Sequence, residues 1–214
     1  MSTHNKKHPQ LERIILFTDA VFAIAITLLA IEIKIPELHE VNEHTALVAL
    51  NHLIPRFVGF IISFLVIGIY WIAHHKIFSY VIDFDRKLLW LNLILLMFIV
   101  LLPFSTGYYS EYVSLKLPFL IYGLNIFLVG LLQARIVNYV AKNELSHGLT
   151  LWLRRYIIFR GLVPGIVFLL VALLQYILPG NGSSLIRIGM GFIALPFYFL
   201  KKYFAKKGVD VKNY

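Results

Sequence analysis

Cysteine is absent from the 214 residues, which excludes a disulfide framework and any thiolate-ligated zinc or iron–sulfur site. Charge is scarce as well. Only 14% of the chain is Asp, Glu, Lys or Arg against 59% hydrophobic residues, and the mean hydropathy of +0.78 lies far above that of a soluble domain. The acidic sign is the rarer one, 11 residues against 20 basic, for a net charge of +9. A basic excess points to nucleic acid only where it gathers on a solvated surface; here it is divided among apolar runs, so no nucleic-acid partner is expected. Also missing are a Gly-rich phosphate loop, a His-Glu-x-x-His helix and a nucleophile elbow, so the chain reads as a non-enzyme with no cofactor and no metal. The ten-residue alternating segments of a closed β-barrel are missing too. The polar first ten residues, with Lys6, Lys7 and Pro9, do not read as a signal peptide.

What fills the chain instead is long apolar runs. A helix needs about 20 such residues to cross a hydrocarbon core roughly 30 Å thick, and six stretches approach that length. They run over residues 11–35, 56–75, 88–105, 117–141, 156–178 and 185–204. The expected fold is therefore an all-α integral membrane protein with six transmembrane helices in one domain spanning 1–214. Pro36 is expected to close the first helix, Pro103 to disturb the end of the third, and Pro179-Gly180-Asn181-Gly182 to turn between the last two. Sixteen of the twenty Lys and Arg fall on one side of these spans, while Lys34, Arg56, Lys116 and Arg187 fall on the other. Basic residues favour the cytoplasmic side, so both termini are expected there, in a multi-pass protein of the cytoplasmic membrane with the lipid bilayer as its solvent.

The longest polar connection, Glu37–His52, carries Glu37, Glu40 and Glu43 beside His39, His44 and His52. Two Glu/His pairs at i,i+4 spacing would suit a divalent ion on a helix, but a solvated loop is the simpler reading. Repeated around an oligomer axis, the three Glu would form an acidic outer vestibule that concentrates cations.

The first helix is the unusual one, because Glu12, Arg13 and Asp19 enter an apolar span, and charge at that depth faces protein or water. At about 100° per residue, Arg13, Phe17, Ile24, Leu28 and Ile31 fall within about 60° of one another, with Thr27 about 40° to one side and Asp19 about 120° away. From periodicity alone the stripe is an ordinary packed face and Asp19 a buried acceptor between helices.

The string Arg13-Ile-Ile-Leu-Phe17-Thr18-Asp19-Ala20 resembles the Arg-x-x-x-Phe-Ser-Asp signature of the transmembrane-protein-175 potassium-channel family, in a bacterial, single-repeat form. Gly68-Ile-Tyr-Trp71-Ile-Ala-His74-His75, Leu89-Trp90-Leu-Asn92-Leu and Leu101-Leu-Pro103-Phe104-Ser105 extend the likeness through the third span. Beyond it the likeness is one of hydrophobic pattern. Thr18 stands where Ser is usual and keeps the hydroxyl. The resemblance implies a homotetramer of six-helix subunits whose pore is formed by helix 1 and which passes potassium ions without a carbonyl filter. It places the narrowest apolar ring at Ile24, continued by Leu28 and Ile31, with Thr27 as a hydroxyl layer. It further implies a network of Arg13, Phe17, Thr18 and Asp19 with His74 or His75 and Asn92, around which Trp71 and Trp90 pack, holding helix 1. Ser105-Thr106-Gly107-Tyr108-Tyr109 has some of the composition of a carbonyl filter loop, but it lacks the second Gly and reads as an interfacial turn. Two other functions suit the same residues: a proton-coupled transporter or proton pathway using Asp19 and His74 or His75, and a structural membrane protein without flux.

Overall fold

A computed structural model of the protein describes residues 9–38, 40–177 and 194–209, and from 194 to 198 the backbone only. Seven helices are described: α1 (Pro9–Ile31), α2 (Glu43–His52), α3 (Ile54–Tyr80), α4 (Arg86–Glu111), α5 (Lys116–Lys142), α6 (Leu151–Ile177) and α7 (Ala194–Lys206). Five of them, α1 and α3 to α6, are long and apolar enough to cross a membrane. Of the expected sixth span, residues 185–193 lie outside the described residues and 194–204 fall in α7. The expected turn at residues 179–182 lies outside them too. Among the described residues no strand forms, only a single antiparallel bridge between Val81 and Ser146.

Several boundaries differ from the sequence expectation for local reasons. α1 stops at Ile31 instead of running to 35, because Pro36 drives the residue before it out of helical geometry and the last turn tightens through Ile33 N–H to the Ala30 carbonyl. The connection after it is not all loop. Asn42 and Thr45 form a reciprocal capping box that starts the ten-residue α2. α4 runs through Pro103 to Glu111, so the expected turn at 105–109 is helix. Proline removes one donor from the helix ladder, and the hydroxyls of Ser105 and Thr106 add bonds to the Leu102 carbonyl, at 3.0 and 2.7 Å. α6 begins at Leu151, where Thr150 caps it by accepting from Leu153 N–H.

Cross-helix contacts fix the directions. Thr18 with Asn92 and Glu32 with Gly107 set α1 parallel to α4, while Trp71 with Asp19 sets α3 against α1. Asn125 with Ser105 and Tyr122 with Tyr109 make α4 and α5 antiparallel, and Gly130 with Gly161 and Gly123 with Phe168 do the same for α5 and α6. Phe204 of α7 packs on Trp152 and Tyr156, which brings the chain back to the end where α6 starts. At that end the α3–α4 and α5–α6 loops pair: Ile82 N–H donates to the Leu145 carbonyl and His147 N–H to the Tyr80 carbonyl, each at 2.9 Å.

The tightest packing lies between α5 and α6. A Cβ on Gly165 would stand 2.4 Å from the Phe127 Cα, and one on Gly130 would stand 2.6 Å from the Gly161 carbonyl oxygen. Only glycine allows such an approach, the small-residue packing by which helices associate in lipid. Polar bonds reinforce it. The Tyr70 hydroxyl donates toward the carbonyls of Ile126 and Gly161, and the Gln133 amide donates to the Tyr70 carbonyl.

Candidate functional site: the first helix and its polar anchor

α1 divides into two flanks. Leu11, Thr18, Phe22, Ala25 and Leu29 are buried against the chain's own helices. Opposite them Phe17, Ile24 and Ile31, seven residues apart, are 53, 56 and 69% exposed. That exposed stripe is the one the wheel defines; Leu28 lies at its half-buried edge, Arg13 lies within it and Thr27 beside it, both exposed. The Thr27 hydroxyl donates to the Ile24 carbonyl at 2.8 Å. Its hydrogen is thus committed to the helix, and the oxygen lone pairs remain as acceptors on the exposed face.

A chain of hydrogen bonds holds the buried flank. The Asn92 amide of α4 donates to the Thr18 hydroxyl at 2.8 Å, and its carbonyl oxygen accepts from His74 Nε2 of α3 at 2.9 Å. All three side chains are buried. An acceptor at Asn92 Oδ1 requires the proton on Nε2, so one tautomer of His74 satisfies the chain. The ring stacks on Phe78 at 4.3 Å and tilts against Phe22 at 5.8 Å. Asp19, partly buried, is held separately: its carboxylate accepts from Trp71 Nε1 at 2.9 Å, and the His75 ring lies 5.9 Å from the Trp71 ring. Buried polar groups of this kind are costly unless paired, and pairing fixes which flank of α1 turns inward.

The expected cluster is therefore assembled only in part. Thr18, His74 and Asn92 form one piece, and Asp19 and Trp71 another with His75 beside it. Arg13 is exposed and outside both. Trp90 is 58% exposed and makes no ring contact or hydrogen bond with either piece, because its position on α4 faces away from α1 and α3. At the other end of α1, Gly107 leaves room for the Glu32 side chain, which lies where a Cβ would be. Glu37 and Glu40 share a cleft with His44, Thr45 and His52, and Glu43 opens α2. His39 lies outside the described residues. Among the described residues no group of three or more His, Asp or Glu is placed to hold a metal ion.

A second buried polar cluster goes beyond the sequence expectation. The Ser63 hydroxyl lies 2.7 Å from that of Thr106 and 2.8 Å from that of Tyr122, and Asn125 donates to Ser105 at 3.1 Å. Its signal in the sequence is hydroxyls and an amide inside apolar spans, where such groups seek partners on facing helices.

These helices define an α-helical, multi-span membrane protein. Residues 13–103 match the family model described as "Endosomal/lysosomal potassium channel TMEM175". A potassium channel of Streptomyces collinus is 44% identical over 100 residues, covering 47% of this chain and 48% of the relative. One of Chamaesiphon minutus is 45% identical over 101 residues, 47% and 49% of the two chains. The endosomal/lysosomal proton channel TMEM175 of Gallus gallus is 37% identical over 107 residues, 47% of this chain and 21% of that one. The matched segment thus spans about half the length of the bacterial relatives. The likeness in fold is longer. The crystal structure of a lysosomal potassium-selective channel TMEM175 homologue from Chamaesiphon minutus superposes with a TM-score of 0.70 at 28% identity, over 90% of this chain and 97% of that one. A variant of the potassium channel MtTMEM175, crystallised with a nanobody fusion, has the same fold, with a TM-score of 0.62 at 22% identity over 97% and 96% of the two chains. In residues 13–103 and in its fold, this chain is similar to TMEM175-family proteins.

Proposed function

We propose that the protein is a potassium-preferring cation leak channel of the cytoplasmic membrane, in which four copies of α1 line the pore of a homotetramer. The observation that carries this reading is the exposed seam of Phe17, Ile24 and Ile31 on a helix whose other flank is bonded into its own subunit. An apolar stripe in lipid needs no partner, but this one lies on a helix whose opposite flank is hydrogen-bonded to α3 and α4, in the segment that matches the TMEM175 potassium-channel family model. In the closed state, a ring of Ile24 side chains excludes water and blocks ions by dewetting, and Leu28 and Ile31 prolong the dry stretch. Opening widens or rotates α1. Because an apolar ring offers no oxygens to replace an ion's hydration shell, selectivity is modest and depends on pore width and on the Thr27 oxygen next to the ring. Glu37, Glu40 and Glu43 raise the local cation concentration at the mouth. The division of basic residues supports cytoplasmic termini, with Lys76, Arg86 and Lys87 at one end of the bundle and Glu32, Glu37 and Glu111 at the other. Flux runs down the electrochemical gradient with no bond made or broken.

The test is conduction by purified protein in planar bilayers under opposed potassium and sodium gradients. Wild type gives unitary currents reversing toward the potassium potential, and Ile24→Asn gives larger, less selective ones. Silence from both, with folded protein recovered, rules the channel out.

The name of the vertebrate relatives favours a second reading, a proton pathway through Asp19 and His74 or His75. The geometry argues against a continuous relay: the chain from His74 passes through an amide, Asn92, and ends at Thr18, while Asp19 is tied to Trp71. Asp19→Asn decides between them, abolishing a current that reverses with a pH gradient if protons use the carboxylate.

A further inference from the structure

Between Glu144 and Asp210 the chain contains no acidic residue in 65 positions and eight basic ones. The structure gathers many of these at one place, where α6 begins and α7 ends. The Arg155 guanidinium and the Lys207 ammonium each lie 5.2 Å from the centre of the Trp152 ring, within the range of a cation–π contact. They reach it from different elements. Lys201, Lys202 and Lys206 are exposed on α7 nearby. The ion pair formed among the described residues, Arg56 with Glu111, is at the opposite end of the bundle. Among the described residues no carboxylate pairs with either cation, and like charges gathered on one ring favour an added anion.

The neighbouring surface sets the kind of anion. Phe199, Tyr203 and Lys207 recur every four residues, so they form one stripe along α7 and just past its end, about 12 Å long. Phe199 is 64% exposed and Tyr203 52%. Toward the end of the molecule the stripe therefore changes from an apolar ring to an amphipathic ring to a cation. That is the order of acyl chain, glycerol and phosphate in a phospholipid, and Trp152 and Tyr203 are residues that favour this depth. Phe204 is buried among Trp152, Tyr156 and Phe159, which locks the stripe of α7 beside the start of α6.

We propose that Arg155 and Lys207, braced on Trp152, form a seat for the headgroup of an anionic membrane phospholipid whose acyl chains lie along Tyr203 and Phe199. The seat is independent of the pore and needs only that the chain span a membrane. Occupancy pins α7 to α6 through an anion shared by both.

The experiment measures the melting temperature of the purified full-length chain in neutral detergent micelles, with added phosphatidylglycerol, phosphatidylcholine or soluble glycerol phosphate. Phosphatidylglycerol raises the melting temperature of wild type by roughly 5 °C, and the other two do not. The double variant Arg155→Gln/Lys207→Gln loses most of that rise, whereas Arg86→Gln/Lys142→Gln, with the same change of charge, keeps it. Lys207→Gln alone lies beyond the helix end, where folding is spared, and loses about half. An equal rise in all variants, an equal loss in the two doubles, or the same rise with glycerol phosphate overturns the proposal, the last by reducing the seat to a bare phosphate site.

Discussion

α1 and α5 have opposite relations between hydrophobicity and burial. α1 is among the most apolar of the five described spans and the least buried, whereas α5 is the least apolar and the most buried. In water that order would be perverse. In lipid it is expected, because apolar side chains gain nothing by leaving hydrocarbon for protein, and helices associate through close backbone approach and polar bonds instead. α5 supplies Gly123, Gly130, Asn125 and Gln133, while α1 supplies to its own subunit little beyond Thr18, Asp19 and an apolar flank. The contrast separates a helix committed to the body of the subunit from one anchored along a single edge.

The sharpest way to break this comparison is to enlarge a glycine. Gly165→Leu drives atoms into the Phe127 backbone, and overpacking of about 3 kcal/mol or more is expected to leave no folded protein in a detergent melting assay. A bulky side chain at exposed Ala20 of α1, as in Ala20→Leu, should leave subunit melting unchanged; equal damage at both sites would show that α1 is packed as α5 is. Next in size is Asn92→Ala, which strands Thr18 and His74 without partners and should cost about 1–3 kcal/mol of unfolding free energy.

A smaller effect is expected from pH at the end of the bundle. Burial raises the Asp85 carboxyl, but hydrogen bonds from Tyr139 and from the N–H groups of Leu88 and Lys87, with the Lys87 charge, hold it below its ordinary value. A depressed folded value contributes stability that is complete above the unfolded pKa of about 3.9 and lost as pH falls through the folded one. Acid melting curves of wild type and Asp85→Asn should therefore converge at the low-pH end and separate above it. Least of all in stability is Ile24→Asn, within about 0.5 kcal/mol, because its side chain is more than half exposed on the subunit.

The five apolar spans and the alignment of Phe17, Ile24 and Ile31 on one stripe of α1 are legible in the sequence, since composition and a helical period are local properties; the exposure of that stripe is not, because periodicity alone reads it as a packed face. The anchor is harder to read. Periodicity separates Asp19 from the stripe, but that Trp71 bonds it, or that Asn92 lies between Thr18 and His74, depends on which helices meet. That grouping comes with the family resemblance, which also brings in Arg13 and Trp90, both exposed here. The glycine spacing Gly161-x-x-x-Gly165 is visible in the chain, but the α5 positions it meets, Gly130 against Gly161 and Phe127 against Gly165, announce themselves only when α6 is placed on α5. Pro103 misleads for a physical reason: a proline ends helices in water, whereas a helix in lipid continues through it.

The paired loops at residues 80–82 and 145–147 have a mechanical consequence. Two peptide-to-peptide bonds across them tie the α3–α4 hairpin to the α5–α6 hairpin, so these four shafts share one hinge point. α1 has no part in that joint. It continues into the irregular stretch 32–38 and is otherwise held by side chains, and a torque on the membrane-spanning body is transmitted to it through Thr18 and Asp19. On the opening proposed above, those two residues would act as the axle, and a few degrees of rotation about them would move Ile24 sideways without lengthening any backbone bond of the other four helices.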